Sequence, residues 1–155
     1  MVAKDYENLL PHLSTRILGN RLIIDYDDTW IIHSAAEVTV TMPRLTGIDI
    51  SGSSNLGTIG TFKFDDLGIT VSGSGDLILA GSAKNLNLKV SGSSNLRAFD
   101  MPCDTARIMI SGSGDVQMSV NKLLDVNISG SGDLIYKGNP SIISRISGSG
   151  RIRKF

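Results

Sequence analysis

One hexapeptide, which begins Ser-Gly-Ser, occurs six times in this 155-residue chain and constrains the fold more than any other feature. The copies are Ser51–Leu56, Ser72–Leu77, Ser91–Leu96, Ser111–Val116, Ser129–Leu134 and Ser147–Ile152. They begin 21, 19, 20, 18 and 18 residues apart, a period typical of repeat proteins. Because a unit of this length cannot close a hydrophobic core alone, we expect the copies to stack on one another.

Alternating apolar residues precede the copies, as in Ile69-x-Val71 and Leu86-x-Leu88-x-Val90. A period of two indicates β-strand. A second short alternation follows each corner, and then a polar turn such as Ala80–Lys84 or Lys137–Pro140. The sequence therefore predicts an all-β fold, a right-handed parallel β-helix (solenoid) of about six rungs, with the usual handedness of parallel crossovers. An antiparallel sandwich or barrel is the alternative that short, glycine-punctuated strands leave open.

The residues before the first copy follow another pattern. Alternating residues on either side of Leu18–Arg21 predict a β-hairpin, and Tyr6–His12 predicts a brief helix that ends near Pro11. We expect residues 1–36 to form an N-terminal cap of short helix and hairpin, continuous with a β-helix over residues 37–155, as one domain overall. Trp30 is expected to anchor this cap.

The C-terminal end of the predicted solenoid carries the charged segment Arg151–Phe155. An end of a solenoid exposes strand edges and core, so it needs a cover. We expect this segment to be a less complete cover than the N-terminal cap.

Two corner positions allow predictions about single residues. The second position is glycine in all six copies, which predicts one column of glycines with positive φ or no room for a Cβ atom. The fourth position is glycine before Asp or Arg but serine before Asn. Because Asn tolerates the left-handed region, we expect positive φ at the fourth-position glycines and, in the two serine copies, at the Asn instead. These residues are Gly75, Gly114, Gly132, Gly150, Asn55 and Asn95.

The fifth position carries a column of polar and charged residues. It reads Asn55, Asp76, Asn95, Asp115, Asp133 and Arg151. Stacked rungs lie about 4.8 Å apart, so neighbouring carboxylates in the column repel each other. We expect Arg151 to lie beside Asp133 and to compensate its charge.

Composition narrows the classes of partner. Lys plus Arg and Asp plus Glu each number 15, so there is no excess positive charge for nucleic acid or for an anionic membrane. No apolar run approaches the roughly 20 residues of a membrane-spanning helix. A single cysteine, Cys103, excludes an internal disulfide and a cysteine-based zinc site. We predict no nucleic-acid partner, no membrane span and no cofactor.

The Asp-containing corners raise the question of calcium, which glycine-rich repeats of shorter period bind. Each rung supplies at most one carboxylate there, and Asp115 with Asp133 would be the nearest pair. Calcium needs six to eight oxygens, so a structural corner ladder is favoured over a calcium site.

The second hypothesis is a polysaccharide-active enzyme. Catalysis of this kind on a β-helix would need paired carboxylates on one lateral face. The expected outward positions are Asp49, Thr70, Asn87, Lys89, Met109, Asn127 and Arg145, which contain no acid pair. We therefore predict no catalytic and no metal residues, and the binding residues stay unassigned.

The remaining candidate groups are interpreted as structural or incidental, without a role in catalysis or metal binding. Cys103 with His12 or His33 has no activating context and is interpreted as a small apolar filler. The two histidines have no acidic or cysteine companions at metal-ligand spacing. The glycosylation sequon Asn127–Ser129 lies in a predicted ladder strand and is interpreted as incidental.

Several segments together resemble the head GIN domain family of autotransporter adhesins. They are the repeated corner, Val38–Leu45 before the first rung, the pair Asn8–Leu10 and Leu22–Ile24, and Tyr136–Pro140 before the last rung. The resemblance covers nearly the whole chain and implies a right-handed β-helix exported by a Gram-negative bacterium, largely within the Bacteroidetes. It also implies an export signal and one or two strands upstream of Asn8, and we expect these 155 residues to lack both.

The resemblance implies a non-catalytic cell-surface or periplasmic binding module, an adhesin. Its partner would be a glycan or a surface protein, and a homo-oligomer would add avidity. The alternatives are the polysaccharide-active enzyme on a β-helix groove and a purely structural, self-assembling solenoid.

Overall fold

The computed structural model describes residues 2–4, 12–26 and 37–155, and these residues contain β-strands connected by turns. The strands are β1 (Val2–Lys4), β2 (Leu13–Leu18), β3 (Arg21–Tyr26), β4 (Glu37–Thr39), β5 (Gly47–Ser53), β6 (Leu56–Gly57), β7 (Phe62–Ser74), β8 (Asp76–Ile78), β9 (Gly81–Gly92), β10 (Asn95–Gly112), β11 (Val116–Gly130), β12 (Leu134–Lys137), β13 (Ser141–Gly148) and β14 (Ile152–Lys154). The chain divides into two compact units, Met1–Pro43 and Arg44–Phe155.

The first unit contains the predicted hairpin. β2 and β3 pair antiparallel around the turn at Gly19 and Asn20, where Gly19 has a φ of 60°. β4 pairs antiparallel with β1 and ends at Thr39. The expectation that no strand lies upstream of Asn8 is wrong, because β1 does. The predicted helix, apart from His12, and the segment with Trp30 and His33 lie outside the described residues. The proposed division at residue 36 within one domain stays a prediction.

The second unit is a parallel β-solenoid of six rungs, as the repeat predicts. One face stacks β5, β7, β9, β10, β11 and β13 in parallel register. A second face stacks β6, β8, β10, β11, β12 and β14. These parallel pairings rule out the antiparallel sandwich for this unit. The right-handed winding stays a prediction from the crossover rule.

Identical register places aliphatic residues over aliphatic residues inside the coil. Ile69, Leu88, Ile108 and Val126 form one such column, and each is at most 1% exposed. Burying a side chain of this size contributes about 1.5 to 3 kcal/mol. The core is thus a set of short aliphatic columns, which agrees with the low content of aromatic residues.

One of the turns predicted from the sequence, Ala80–Lys84, is largely β-strand in the structure. Residues 81–84 of the expected turn Ala80–Lys84 begin β9 and pair with β7, starting from Gly81 opposite Phe62. Gly81 turns the corner with a φ of 138°, so the chain bends without leaving the ladder. The turn Lys137–Pro140 separates β12 from β13 as predicted.

Candidate functional site

Six glycines stack in one column at the corner, which confirms the prediction for the second hexapeptide position. Strand pairing aligns Gly52, Gly73, Gly92, Gly112, Gly130 and Gly148. All have positive φ, including 143° at Gly112. A Cβ atom on Gly112 would lie 2.3 Å from the carbonyl oxygen of Gly92. Both the backbone conformation and the close approach therefore require glycine.

At the fourth hexapeptide position, positive φ does not explain most of the glycines, contrary to the prediction. Gly75 has the expected positive φ, 156°. The prediction is wrong for Gly114, Gly132, Gly150, Asn55 and Asn95, none of which has positive φ. Gly114 is required because a Cβ atom would lie 2.2 Å from the carbonyl oxygen of Ser94. Ser94 itself is 1% exposed, and its hydroxyl donates to the carbonyl oxygen of Gly73 at 3.1 Å.

Side chains at the fifth position hydrogen-bond from rung to rung and form what we call the Asx ladder, Asn55, Asp76, Asn95, Asp115 and Asp133. In four steps the Oδ1 atom accepts the backbone N–H of the next rung: Asn55 from Asp76 (2.9 Å), Asn95 from Asp115 (3.4 Å), Asp115 from Asp133 (2.8 Å) and Asp133 from Arg151 (2.8 Å). In the remaining step the Asn95 amide donates to Asp76 Oδ1 at 2.9 Å. The structural corner ladder is therefore present.

The cation that compensates Asp133 is Arg153 and not the guanidinium of Arg151, which corrects the prediction. Arg153 Nη2 lies 2.8 Å from Asp133 Oδ2, while Arg151 contributes its backbone N–H. Strand pairing places Arg153 beside Ile135, which is two residues beyond Asp133. The Arg153 side chain therefore reaches the Asp133 carboxylate diagonally across the two strands. Since Oδ1 is occupied by the backbone, Oδ2 is the oxygen that remains for a cation. The hydrogen bond from Arg153 lowers the pKa of Asp133.

A second column alternates in charge and was missed by the sequence reasoning. Asp65, Lys84, Asp104 and Lys122 follow one another at intervals of 19, 20 and 18 residues. Lys84 Nζ lies 2.6 Å from Asp65 Oδ1, and Lys122 Nζ lies 2.8 Å from Asp104 Oδ2. These hydrogen bonds lower the pKa values of both carboxyl groups and raise that of Lys84. The repeat period, applied outside the hexapeptide, would have found this column.

A shallow groove of about 450 Å³ crosses four rungs of the first face, and we call it the lateral groove. Its polar lining consists of Asp66, Asn85, Asn87, Thr105, Arg107 and Asp125. Gly68 also lines the groove, in the same column as Asn87, and lacks a side chain to fill it. Among the predicted outward positions only Asn87 belongs to the groove.

Hydrogen bonds within the groove hold its side chains in place. The Asn85 amide donates to Asp66 Oδ1 at 2.8 Å, and Arg107 Nε donates to Asp125 Oδ2 at 3.3 Å. Asn87 and Arg107 remain exposed, so amide and guanidinium donors face the solvent across the groove. The arrangement offers fixed hydrogen-bond donors and acceptors to a polar ligand that lies along the coil.

The other predicted outward residues form a separate column beside the groove. Strand pairing aligns Asp49, Thr70, Lys89, Met109, Asn127 and Arg145, all of them exposed. The sequence thus predicted correctly that these residues face outward. These positions do not reveal the groove, because the outward residues nearest the corner lie beside it and only Asn87 lines it.

The carboxylates of the groove are too far apart for a two-carboxylate glycosidase. Asp66 and Asp125 lie three rungs apart, about 14 Å at the usual strand spacing. Retaining and inverting glycosidases hold their carboxyl groups about 5 to 9.5 Å apart. The groove therefore fits ligand binding better than this hydrolytic mechanism.

Cys103 lies inside the coil, 0% exposed, with Sγ 3.5 Å from the carbonyl oxygen of Ser119. Burial raises the pKa of its thiol to about 12. The interpretation as an apolar filler agrees with this placement. Within the described part of the chain, no cluster of three or more His, Cys, Asp or Glu is arranged to hold a metal. Residues 2–4, 12–26 and 37–155 also contain no helix with the length and apolar character of a membrane span.

Comparison with known proteins agrees with the fold. Residues 1–140 match the family model described as "putative auto-transporter adhesin, head GIN domain". A crystal structure named a putative adhesin from Bacteroides fragilis is 22% identical, with a TM-score of 0.74, covering 96% of this chain and 79% of that one. No curated protein matches the sequence significantly.

Two Parabacteroides structures are also similar. One, from Parabacteroides distasonis and named a putative lipid binding protein, is 23% identical with a TM-score of 0.64, covering 99% of this chain and 82% of that one. The other, a putative adhesin from Parabacteroides merdae, is 19% identical with a TM-score of 0.60 and the same coverage. At these identities the likeness is one of fold.

Proposed function

Because the chain belongs to the family described as "putative auto-transporter adhesin, head GIN domain", we propose that it is a non-catalytic binding module that attaches to a glycan. Its place would be extracytoplasmic, in the periplasm, at the outer membrane or on the surface of a Gram-negative bacterium. The Bacteroides and Parabacteroides sources of the similar structures support this location.

The lateral groove is the observation that carries the proposal. Amide groups of Asn85 and Asn87, the hydroxyl of Thr105 and the guanidinium of Arg107 provide donors and acceptors for sugar hydroxyls. Parallel strands hydrogen-bonded over four rungs hold these groups at regular spacing, so little side-chain and loop ordering is needed on binding. Attachment would gain strength from many weak contacts along an elongated ligand and from avidity when several copies act together.

Glycan-array binding by the wild-type chain and by variants that fill the groove tests the proposal. Gly68→Leu would place a side chain in the groove, and a Cβ atom there meets no closer atom than the Thr46 carbonyl oxygen at 3.8 Å. Gly57→Leu is the matched control, because Gly57 lies outside the groove with no atom within 4 Å of a Cβ position. Asn87→Ala removes one exposed amide without filling the groove.

We expect the wild type and Gly57→Leu to bind the same glycans and Gly68→Leu to lose that binding. Asn87→Ala should weaken it by about tenfold, as expected for one lost hydrogen bond. Absence of glycan binding by the wild type, or equal binding by Gly68→Leu, would contradict the proposal. Capture of a surface protein through the same groove, blocked by Gly68→Leu, would replace the glycan with a protein partner.

A further inference from the structure

The last rung leaves one strand edge and its inward side chains uncovered. β13 pairs with β11, and no other strand in residues 2–4, 12–26 and 37–155 pairs with its free edge. Ile142 and Ile146 align with Leu124 and Ile128, which are 0% exposed, yet they are themselves 42% and 45% exposed. Their inward faces therefore present apolar surface at the end of the coil.

This edge lacks the usual protection against pairing. Natural edge strands carry inward-pointing charges, prolines or bulges that prevent another strand from adding on. β13 contains one charged residue, Arg145, which belongs to the outward column, and Pro140 precedes the strand. An unprotected edge of eight residues is able to accept a further strand.

The sequence of β13 reads nearly the same in both directions about Ser144. Ser141 corresponds to Ser147 and Ile142 corresponds to Ile146. Ser144 is also unusual, because its column in the other rungs contains only aliphatic residues, Ile48, Ile69, Leu88, Ile108 and Val126. A strand with this symmetry is self-complementary when it pairs antiparallel with a copy of itself.

We propose that β13 docks on β13 of a second copy of this chain, antiparallel, with the two-fold axis at Ser144. In this register each Ile142 faces Ile146 of the other copy, and the two Ser144 residues face each other. Arg145 faces Ile143 of the other copy, so the two Arg145 side chains are not directly opposed. Such an isologous contact closes at two copies.

The Asx ladder argues against a parallel, head-to-tail continuation. The first five rungs each offer an Asx oxygen to the next rung, in four steps to its backbone N–H, but the sixth rung has Arg151 at that position. A seventh parallel rung would find no side-chain acceptor for its backbone N–H. The antiparallel pairing through β13 does not need one.

The contact would be weak. The last rung, residues 141–155, contains 15 residues, fewer than the roughly 20 to 30 per partner of a standard interface. We therefore expect a concentration-dependent dimer. The proposal is independent of the glycan-binding role, because β13 and the lateral groove share no residue.

Site-specific disulfide formation tests the register. Directly opposed residues in an antiparallel pair have Cα atoms about 4.5 to 5.5 Å apart, within the range for a disulfide. Under mild oxidation Ser144→Cys should form a covalent dimer at least about tenfold faster than Ile142→Cys, whose copies would lie about 13 Å apart. The double variant Ile142→Cys with Ile146→Cys should restore crosslinking. Native Cys103 is buried and should not take part.

Sedimentation velocity over a concentration series gives an independent measurement. Ile142→Lys with Ile146→Lys should abolish the dimer, and both sites are exposed enough to leave the fold intact. Ile78→Lys is the matched control, because Ile78 is 52% exposed on the second face. Equal crosslinking of Ser144→Cys and Ile142→Cys would overturn the proposal. So would a wild-type chain that stays monomeric at all concentrations, or a dimer that the double lysine variant does not weaken.

Discussion

The backbone N–H of Arg151 donates a 2.8 Å hydrogen bond to Oδ1 of Asp133, one rung earlier in the coil. Asp115 accepts the N–H of Asp133 in the same way. Asp115 and Asp133 therefore each connect three successive rungs, because the side chain accepts from the backbone of the next rung while the backbone N–H donates to the side chain of the preceding rung. The Asx ladder thus hydrogen-bonds successive rungs to one another at the corner, where the strands of the two faces are interrupted.

Asp133→Asn and Asp133→Ala should differ in stability. Asn retains an Oδ1 acceptor, as Asn55 does toward Asp76, whereas Ala removes it. We expect Asp133→Ala to lower the free energy of unfolding by about 1 to 2 kcal/mol and Asp133→Asn by less than about 1 kcal/mol. Urea denaturation followed by circular dichroism measures both. Equal losses would show that the side-chain acceptor contributes nothing.

Arg153→Met should destabilise the last rung more than Arg151→Met. Arg153 forms the ion pair with Asp133, whose side chain is 28% exposed. Arg97 approaches Asp76 with the same diagonal geometry but at 3.9 Å, so Arg97→Met is a weaker counterpart. We expect a loss of about 0.5 to 1 kcal/mol for Arg153→Met and less for the other two. Hydrogen exchange of residues 146–152 should accelerate in Arg153→Met, and acceleration in Arg151→Met alone would reverse this assignment.

The fold could be predicted from the sequence because the repeat and the alternation act at every rung. The glycine column follows from six unvaried positions, each of which has positive φ. Individual interactions could not be predicted in the same way. Whether Arg151 or Arg153 reaches Asp133 depends on which carboxylate oxygen the backbone already occupies, and this appears only when the rungs are stacked.

The lateral groove depends on side chains that lie further from the corner than the motif. Asp66 and Arg107 belong to different rungs, and nothing in the hexapeptide relates them. Gly68 leaves space in the groove because its neighbour in the next rung, Asn87, bears a side chain and Gly68 does not. Aligning all rungs over their full length would have grouped these residues, although it would not have given the depth of the groove.

Gly112→Ala should be strongly destabilising, because a Cβ atom would lie 2.3 Å from the carbonyl oxygen of Gly92 and φ is 143°. We expect a loss of about 3 kcal/mol or more. Gly57→Ala is the control, since no atom lies within 4 Å of its Cβ position, and its effect should stay within about 0.5 kcal/mol. Thermal unfolding of the two variants measures the difference. Similar melting temperatures would contradict the requirement for glycine in the corner column.

Acid should weaken the solenoid through three carboxylates. Hydrogen bonds from Lys84, Lys122 and Arg153 lower the pKa values of their partners, Asp65, Asp104 and Asp133. The unfolded chain, in which Asp has a pKa of about 3.9, therefore binds more protons than the folded chain in this range. The resulting stability is present above the unfolded value and is lost as the pH falls from about 5 through the folded values.

Chemical denaturation at a series of pH values between about 2 and 7 measures this dependence, since the free energy of unfolding should stay nearly level above pH 5 and fall below it. A triple variant, Lys84→Met with Lys122→Met and Arg153→Met, removes the three cationic donors and leaves the carboxylates in place. Its free energy of unfolding should depend less steeply on pH in the acid range, because the folded pKa values then move closer to the unfolded ones, although Asn121 and the backbone of Arg151 still lower those of Asp104 and Asp133. A pH profile parallel to that of the wild type would show that these three pairs do not determine the acid response.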